Sequence, residues 1–333
     1  MVNPIQSLLA GLFGPVPNIA DEVRQAVERA VDVVDPQVRM VGGYERRLAP
    51  AVQSALDHVG RMIDDLPGPL QVTRPAFAAD PLVHAVFATA SDIEKMLGTS
   101  QSVRDYLHEP ESYGVDSFYA LFAARRVEKR QMGLAVQGDV IRSDVPQTVL
   151  YFSDQTITEP AADLAPLRAN LRRVFFDSVL KSFLAHLSAL REERENLRAG
   201  LSSERAHLTV LRGKTGGPEY AVHTRRVAEL DAQLRKVADN LAPATVADAL
   251  ASYLARPDSA MRLEPCSVTV DRLGTVMPQD GAAGAPDVAT LRFPEMIGRD
   301  RRRYMVMVAK IDVAEAREAV ERVAEAQRRY VII

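Results

Sequence analysis

The residues most suggestive of chemistry lie in LRGKTGGPEY, from Leu211 to Tyr220, where Gly213-Lys214-Thr215 matches the end of a phosphate-binding loop. In such a loop, backbone amides cradle the phosphates, the lysine reaches the outer ones and the hydroxyl meets magnesium. That chemistry requires a glycine five residues before the Gly-Lys-Thr, and Leu208 stands there. It also requires a preceding strand, whereas a helical heptad pattern precedes these residues. The residues therefore argue against a nucleotide site. They read instead as a basic turn, with Arg212, Lys214 and Thr215 as contact residues for an acidic partner.

Six histidines are present: His58, His84, His108, His186, His207 and His223. None forms an HxxxH or HExxH pair, and none has a carboxylate at a recognised ligand spacing. His207 and His223 flank one layer of a helical pair and can approach each other. They read as a polar layer rather than a metal site. Mutual repulsion would make the pair acid-sensitive, an expectation that equal stability at about pH 5.5 and 7.5 would remove. The densest positive run is Arg299-Asp300-Arg301-Arg302-Arg303. It reads as a solvated hairpin turn. As an anion or nucleic-acid contact it would use Arg299, Arg301, Arg302 and Arg303. No aromatic residue interleaves it, which argues against a stacking platform. Cys266 has no nearby histidine in sequence and reads as a small buried hydrophobe. GxSxG, GxGxxG and acidic metal clusters are all missing from the sequence.

Composition narrows the classes further. A net charge of -3 gives no global pull toward nucleic acid or anionic membrane. One cysteine permits no disulfide within the chain and no thiolate cage, consistent with a reducing, cytoplasmic setting. Arginine in excess of lysine, with abundant alanine and valine, fits the coding bias of a GC-rich bacterial genome. The first residues, MVNPIQSLLAGLFGPVPN, carry a short apolar run broken by Gly and Pro, with no basic flank. They suggest a docked helix rather than a signal peptide or membrane span, with a weak interfacial anchor as the alternative.

Elements must position whatever these residues do. Residues 1–130 read as a helical region. Asn18 caps a helix with Ile19, Val23, Val27, Ala30, Val31 and Val34 at 3–4 spacing, and Asp35-Pro36 opens the next. Gly42-Gly43 and Pro50 should bend or interrupt that second segment, and the proline-glycine-proline at 67–69 should end it. Asp80-Pro81 starts another helix and Leu97-Gly98 reads as a C-terminal stop. Asp116 caps a further helix bearing Phe118, Leu121, Phe122 and Val127. Strands follow at 131–137 and 147–157, paired as a hairpin, then at 267–277, 288–296 and 302–311. A helix capped by Asp312 closes the chain. Residues 131–162 and 256–333 thus form a β-rich body, and 163–255 a helical insertion.

That insertion has the most specific pattern. One seam runs Leu180, Phe183, Leu187, Leu190, Arg194, Leu197, Leu201, Glu204, Leu208, Leu211, and another runs Tyr220, His223, Val227, Leu230, Leu234, Val237, Leu241. Both alternate between three and four, the heptad spacing of a coiled coil. Folding the chain at the glycines pairs every layer in one register. Leu208 then meets His223, Glu204 meets Val227, Leu201 meets Leu230 and Arg194 meets Val237, and no layer sets two polar residues opposite each other. The paired part would reach roughly 35 Å at ~1.5 Å per residue. Two helices of that kind offer a narrow core and are marginal in water without a body, a partner or a second copy.

The expected architecture is α+β: a helical N-terminal region, a mostly antiparallel sheet of about five strands, an inserted coiled-coil hairpin and a C-terminal helix. The expected function is that of a non-catalytic interaction or assembly protein. Its arm would bind a protein partner or another copy of the chain, most simply as a homo-oligomer without a cofactor. The alternatives are an enzyme whose site is assembled between the helices and the sheet, and nucleic-acid binding through the arginine turn.

Overall fold

The computed structural model describes residues 20–137, 140–211, 217–277, 288–299 and 301–330. Ten helices are described: α1 Asp21–Val34, α2 Tyr44–Asp64, α3 Arg74–Ala79, α4 Pro81–Val86, α5 Ala90–Thr99, α6 Gln101–Leu107, α7 Leu164–Val210, α8 Pro218–Asn240, α9 Pro243–Leu254 and α10 Val313–Tyr330. Six strands accompany them: β1 Leu70–Gln71, β2 Ser117–Gln137, β3 Val140–Ala161, β4 Met261–Asp271, β5 Val288–Gly298 and β6 Arg303–Asp312. The fold is α+β, with an antiparallel sheet, a 47-residue helix and a C-terminal helix.

The chain forms two compact units. An arm unit holds the residues up to Asp57 and Phe176–Pro257, and a sheet unit holds His58–Phe175 and Asp258–Ile333. The boundaries read from sequence follow changes of secondary structure, whereas these units follow shared packing. Helical periodicity does not say which helices share a core.

In the arm unit, α1 buries the expected stripe of Val23, Val27, Ala30, Val31 and Val34. Asn18 and the apolar N-terminal run lie outside the described residues. Asp35 ends α1, and its carboxylate accepts the Gln37 amide at 2.9 Å to open a short 3-10 turn over Pro36–Met40. Gly42-Gly43 precedes α2, but Pro50 lies within α2 without ending it. Pro50 and Arg46 are both exposed, so water can serve the carbonyl that proline leaves without an N–H. Ion pairs tie the base of the long helix to its neighbours. Arg29 grips Asp177 with bonds of 3.0 and 2.6 Å and Arg191 reaches Asp35 at 2.8 Å, while Arg47 ties α2 to Asp248 of α9.

In the sheet unit the strand order is β3-β2-β6-β5-β4, and β1 runs parallel beside β6. The strands before and after the arm therefore share one sheet. Along one face lie Phe118, Ala120, Phe122 and Ala124 of β2, Met305, Met307, Ala309 and Ile311 of β6, and Leu291 and Phe293 of β5. These alternate positions pack with Val86, Phe87, Ile93, Leu97, Val103, Leu107 and Ala319 from the helices. The residues Gly274 to Val276 bond back to the far edge. The Leu150 amide donates to Gly274 at 2.8 Å, and the Val276 amide donates to Thr148 at 2.8 Å.

Three expectations need correction. The helix placed after Asp116 is the first half of β2, and the first long strand begins at Ser117 rather than at 131. Its apolar residues fit both periods, but the pairing of Ser117–Arg125 with β6 selects the period of two. The run 267–277 divides at Asp271, whose carboxylate accepts the amides of Leu273 and Thr275 at 2.9 and 2.7 Å. The strand instead extends back to Met261. Finally, Gly98 lies inside α5, which runs to Thr99. A Cβ there would stand 2.5 Å from the Ala319 carbonyl oxygen, so this glycine permits close approach of α10. The cap expected at Asp312 is present, accepting the Ala314 and Glu315 amides at 2.8 and 3.1 Å.

Candidate functional site

The helical pair α7–α8 carries the strongest candidate. From Leu190 to Leu211 the shielded residues are the expected seam, joined by Arg191 and Gly200. From Gly217 to Leu241 they are again the seam, joined by Gly217 and Asp231. All other described positions in these two stretches are exposed. Contacts across the pair fix its direction. Leu230 lies 3.7 Å from where a Cβ on Gly200 would stand, and Glu204 bonds His223. Advancing along α7 meets earlier residues of α8, so the helices run antiparallel. Seam Arg194 bonds Glu195 at 3.0 Å and turns its charge to the flank.

One polar layer stands out near the end of α7 and the start of α8. The His223 Nδ1 lies 2.6 Å from the Glu204 carboxylate, and the His207 and His223 rings meet at 5.3 Å, nearly perpendicular. This hydrogen bond holds the Glu204 carboxyl below the usual carboxylate range. Sequence pairing brought the two histidines together but set Glu204 opposite Val227. The structure shows Glu204 reaching diagonally to His223, within one turn of His207. The available signal was the Glu204-x-x-His207 spacing, which puts both side chains on one helix face.

Arg212, Lys214 and Thr215 lie outside the described residues. On either side of them, Val210 and Val222 are 85% and 66% exposed. Arg299, Arg301 and Arg302 are exposed in the connection between β5 and β6, where the Arg301 amide donates to the Gly298 carbonyl at 3.0 Å. Arg303 differs, because it opens β6 and donates to Glu295 at 2.8 Å.

Glu295 was not singled out by sequence. It accepts a second guanidinium bond from Arg126 at 2.8 Å, and Arg126 also lies 3.2 Å from the Cys266 sulfur. Burial pushes the Cys266 thiol up, with Glu295 adding to the effect. The thiol is thus held protonated, the opposite of an activated nucleophile. The signal for this cluster was a glutamate in the inward row Leu291, Phe293, Glu295, Ile297.

A cavity of about 650 Å³ lies between α3–α4 and the strand ends, lined by Asp80, His84, Phe87, Tyr151, Asp271, Arg272 and Leu291 among others. Its two carboxylates serve the backbone: Asp80 accepts the Leu82 amide at 2.8 Å, and Asp271 holds the Leu273–Thr275 turn. The His84 ring packs on Phe77 at 4.8 Å. Compared with known proteins, the chain matches no family model, no curated protein and no solved structure.

Proposed function

We propose that the chain is a non-catalytic interaction or assembly protein, in which α7 and α8 pair as a coiled-coil arm that grips a protein partner or a second copy. One observation carries the reading. Among the described residues between Leu190 and Leu241 the shielded positions are the seam with only Arg191, Gly200, Gly217 and Asp231 beside it, and Val210 and Val222 stand exposed. Such a pair buries little apolar area for its length, and a partner along its flank or tip would add what it lacks. No helix among the described residues is long and apolar enough to cross a membrane. With a single cysteine, the proposed setting is the cytoplasm.

The test replaces Arg194–Val237 by a short Gly-Ser linker. That cut keeps the Arg191–Asp35 pair at the base of the arm. The trimmed chain should unfold cooperatively by circular dichroism and sediment as a monomer, while the full chain associates with itself or with a purified partner. Equal association of the two chains would overturn the proposal, and aggregation of the trimmed chain would assign the arm to the core. The enzyme alternative attaches to the cavity beside α4 and predicts saturable binding of a small molecule that His84→Ala or Tyr151→Ala abolishes. Nucleic-acid binding predicts salt-dependent affinity lost when Arg301, Arg302 and Arg303 become alanine. The bond from Arg303 to Glu295 weakens that case.

A further inference from the structure

We infer that Glu204, His207 and His223 form a binding site for a divalent transition ion, of the kind zinc occupies, joining α7 to α8 near their turn. The three side chains bring one carboxylate oxygen and two imidazole nitrogens within 4.8 Å of one another. Two donors sit at i and i+3 on one helix and the third comes across from the other, the way facing helices build metal sites. Imidazole with carboxylate suits zinc and its neighbours, whereas calcium and magnesium prefer oxygen alone.

Geometry allows the ion to enter. Around tetrahedral zinc, with bonds of about 2.0–2.1 Å, ligand atoms stand roughly 3.3 Å apart. The Glu204–His223 bond of 2.6 Å must open, and the widest separation must close from no more than 4.8 Å. Side-chain rotation covers both changes, because His207 is exposed and the other two are half-buried. For the metal to take the His223 Nδ1, the ring keeps one proton on Nε2 and binds as a neutral imidazole; any second ring proton leaves to solvent. Three protein ligands leave a fourth position, which water fills on the exposed side. Two neutral imidazoles and one carboxylate leave one net positive charge on the bound centre, and Arg226, whose charge also acts on Glu204, lies against Glu229 at 3.3 Å. The ion would fasten the end of α7 to the start of α8.

The experiment uses the full chain, free of any histidine tag and stripped with a chelator. Cobalt is titrated by visible absorption and zinc by calorimetry. The expected result is saturation at one ion per chain, with cobalt bands of a four- or five-coordinate centre. His207→Gln and His223→Gln should each abolish saturable binding, and Glu204→Gln should weaken it by roughly tenfold or more. His186→Gln, lower on α7, should bind as the parent does. Since His207 is exposed, the H207Q chain keeps its helical dichroism, which separates lost ligation from lost folding. No saturable uptake by the full chain, or unchanged uptake by the H207Q/H223Q double variant, overturns the inference.

Discussion

Glu295 places a carboxylate in an otherwise apolar row and is only 1% exposed. Each of its oxygens has its own guanidinium, Arg126 on one and Arg303 on the other, both at 2.8 Å. Arg303 is half in solvent, but the Arg126 side chain is 16% exposed and shares its charge between Glu295 and the more exposed Glu128. Glu295→Ala should therefore cost about 1–3 kcal/mol in urea unfolding, because the shielded Arg126 guanidinium loses one of two carboxylate partners and keeps Glu128. Replacing both ends, as E295L with R126M, should recover most of that loss, since an apolar pair needs no desolvation of charge. A loss below about 1 kcal/mol for Glu295→Ala would mean that solvent already screens the pair. The same carboxylate helps keep the Cys266 thiol protonated, so this cluster is better understood as a structural lock than as a reaction centre.

Helices and strands show where sequence reasoning succeeds and where it stops. The row of shielded positions on α7 and α8 was legible because its period follows from two helices facing each other and nothing else. Strand β2 was misread because Phe118, Leu121 and Phe122 satisfy two periods, and only the partner β6 decides between them. Gly98 was misread for a related reason: a glycine that ends a helix and one that admits a neighbouring helix look alike until that neighbour is placed. Two glycines inside helices make the point measurable. A Cβ on Gly98 would meet the Ala319 oxygen and a Val323 methyl, each at 2.5 Å, whereas one on Gly60 in α2 meets nothing within 4 Å. Gly98→Ala should therefore destabilise by about 1–3 kcal/mol through overpacking. Gly60→Ala should stabilise by roughly 0.5–1 kcal/mol through helix propensity. Urea midpoints of the two variants should move in opposite directions, and equal shifts of one sign would refute the close-packing account of Gly98. The Glu204 contact was out of reach for a further reason, because a layer-by-layer register does not anticipate a diagonal reach between long side chains.

Taken unit by unit, the shifted carboxyls predict an order of acid response. In the arm unit the described carboxyl shifts run downward: Glu28 through the Tyr44 hydroxyl and Arg39, Glu195 through Arg194, and Glu204 through His223. A carboxyl whose folded value lies below its unfolded one adds stability above the ordinary value of 4.5. That stability is lost as pH falls through the depressed value. In the sheet unit Glu94, despite burial, is held down by Arg322 and Arg74, and Glu264 by Arg262. Glu315 runs the other way, because burial raises it, and its protonation favours the folded state as pH drops. The opposing sign offsets part of the acid loss in the sheet unit alone. Acidification from about pH 6 to 3 should therefore reduce helical dichroism before Cys266 opens to a thiol reagent that works in acid, such as dithiodipyridine. The substitutions E28Q and E204Q together should lower helical stability at neutral pH and flatten its fall in acid, because they remove two groups that gain from ionisation. Loss of both signals at one pH, indifferent to those substitutions, would show that the arm's carboxyls do not set its acid limit.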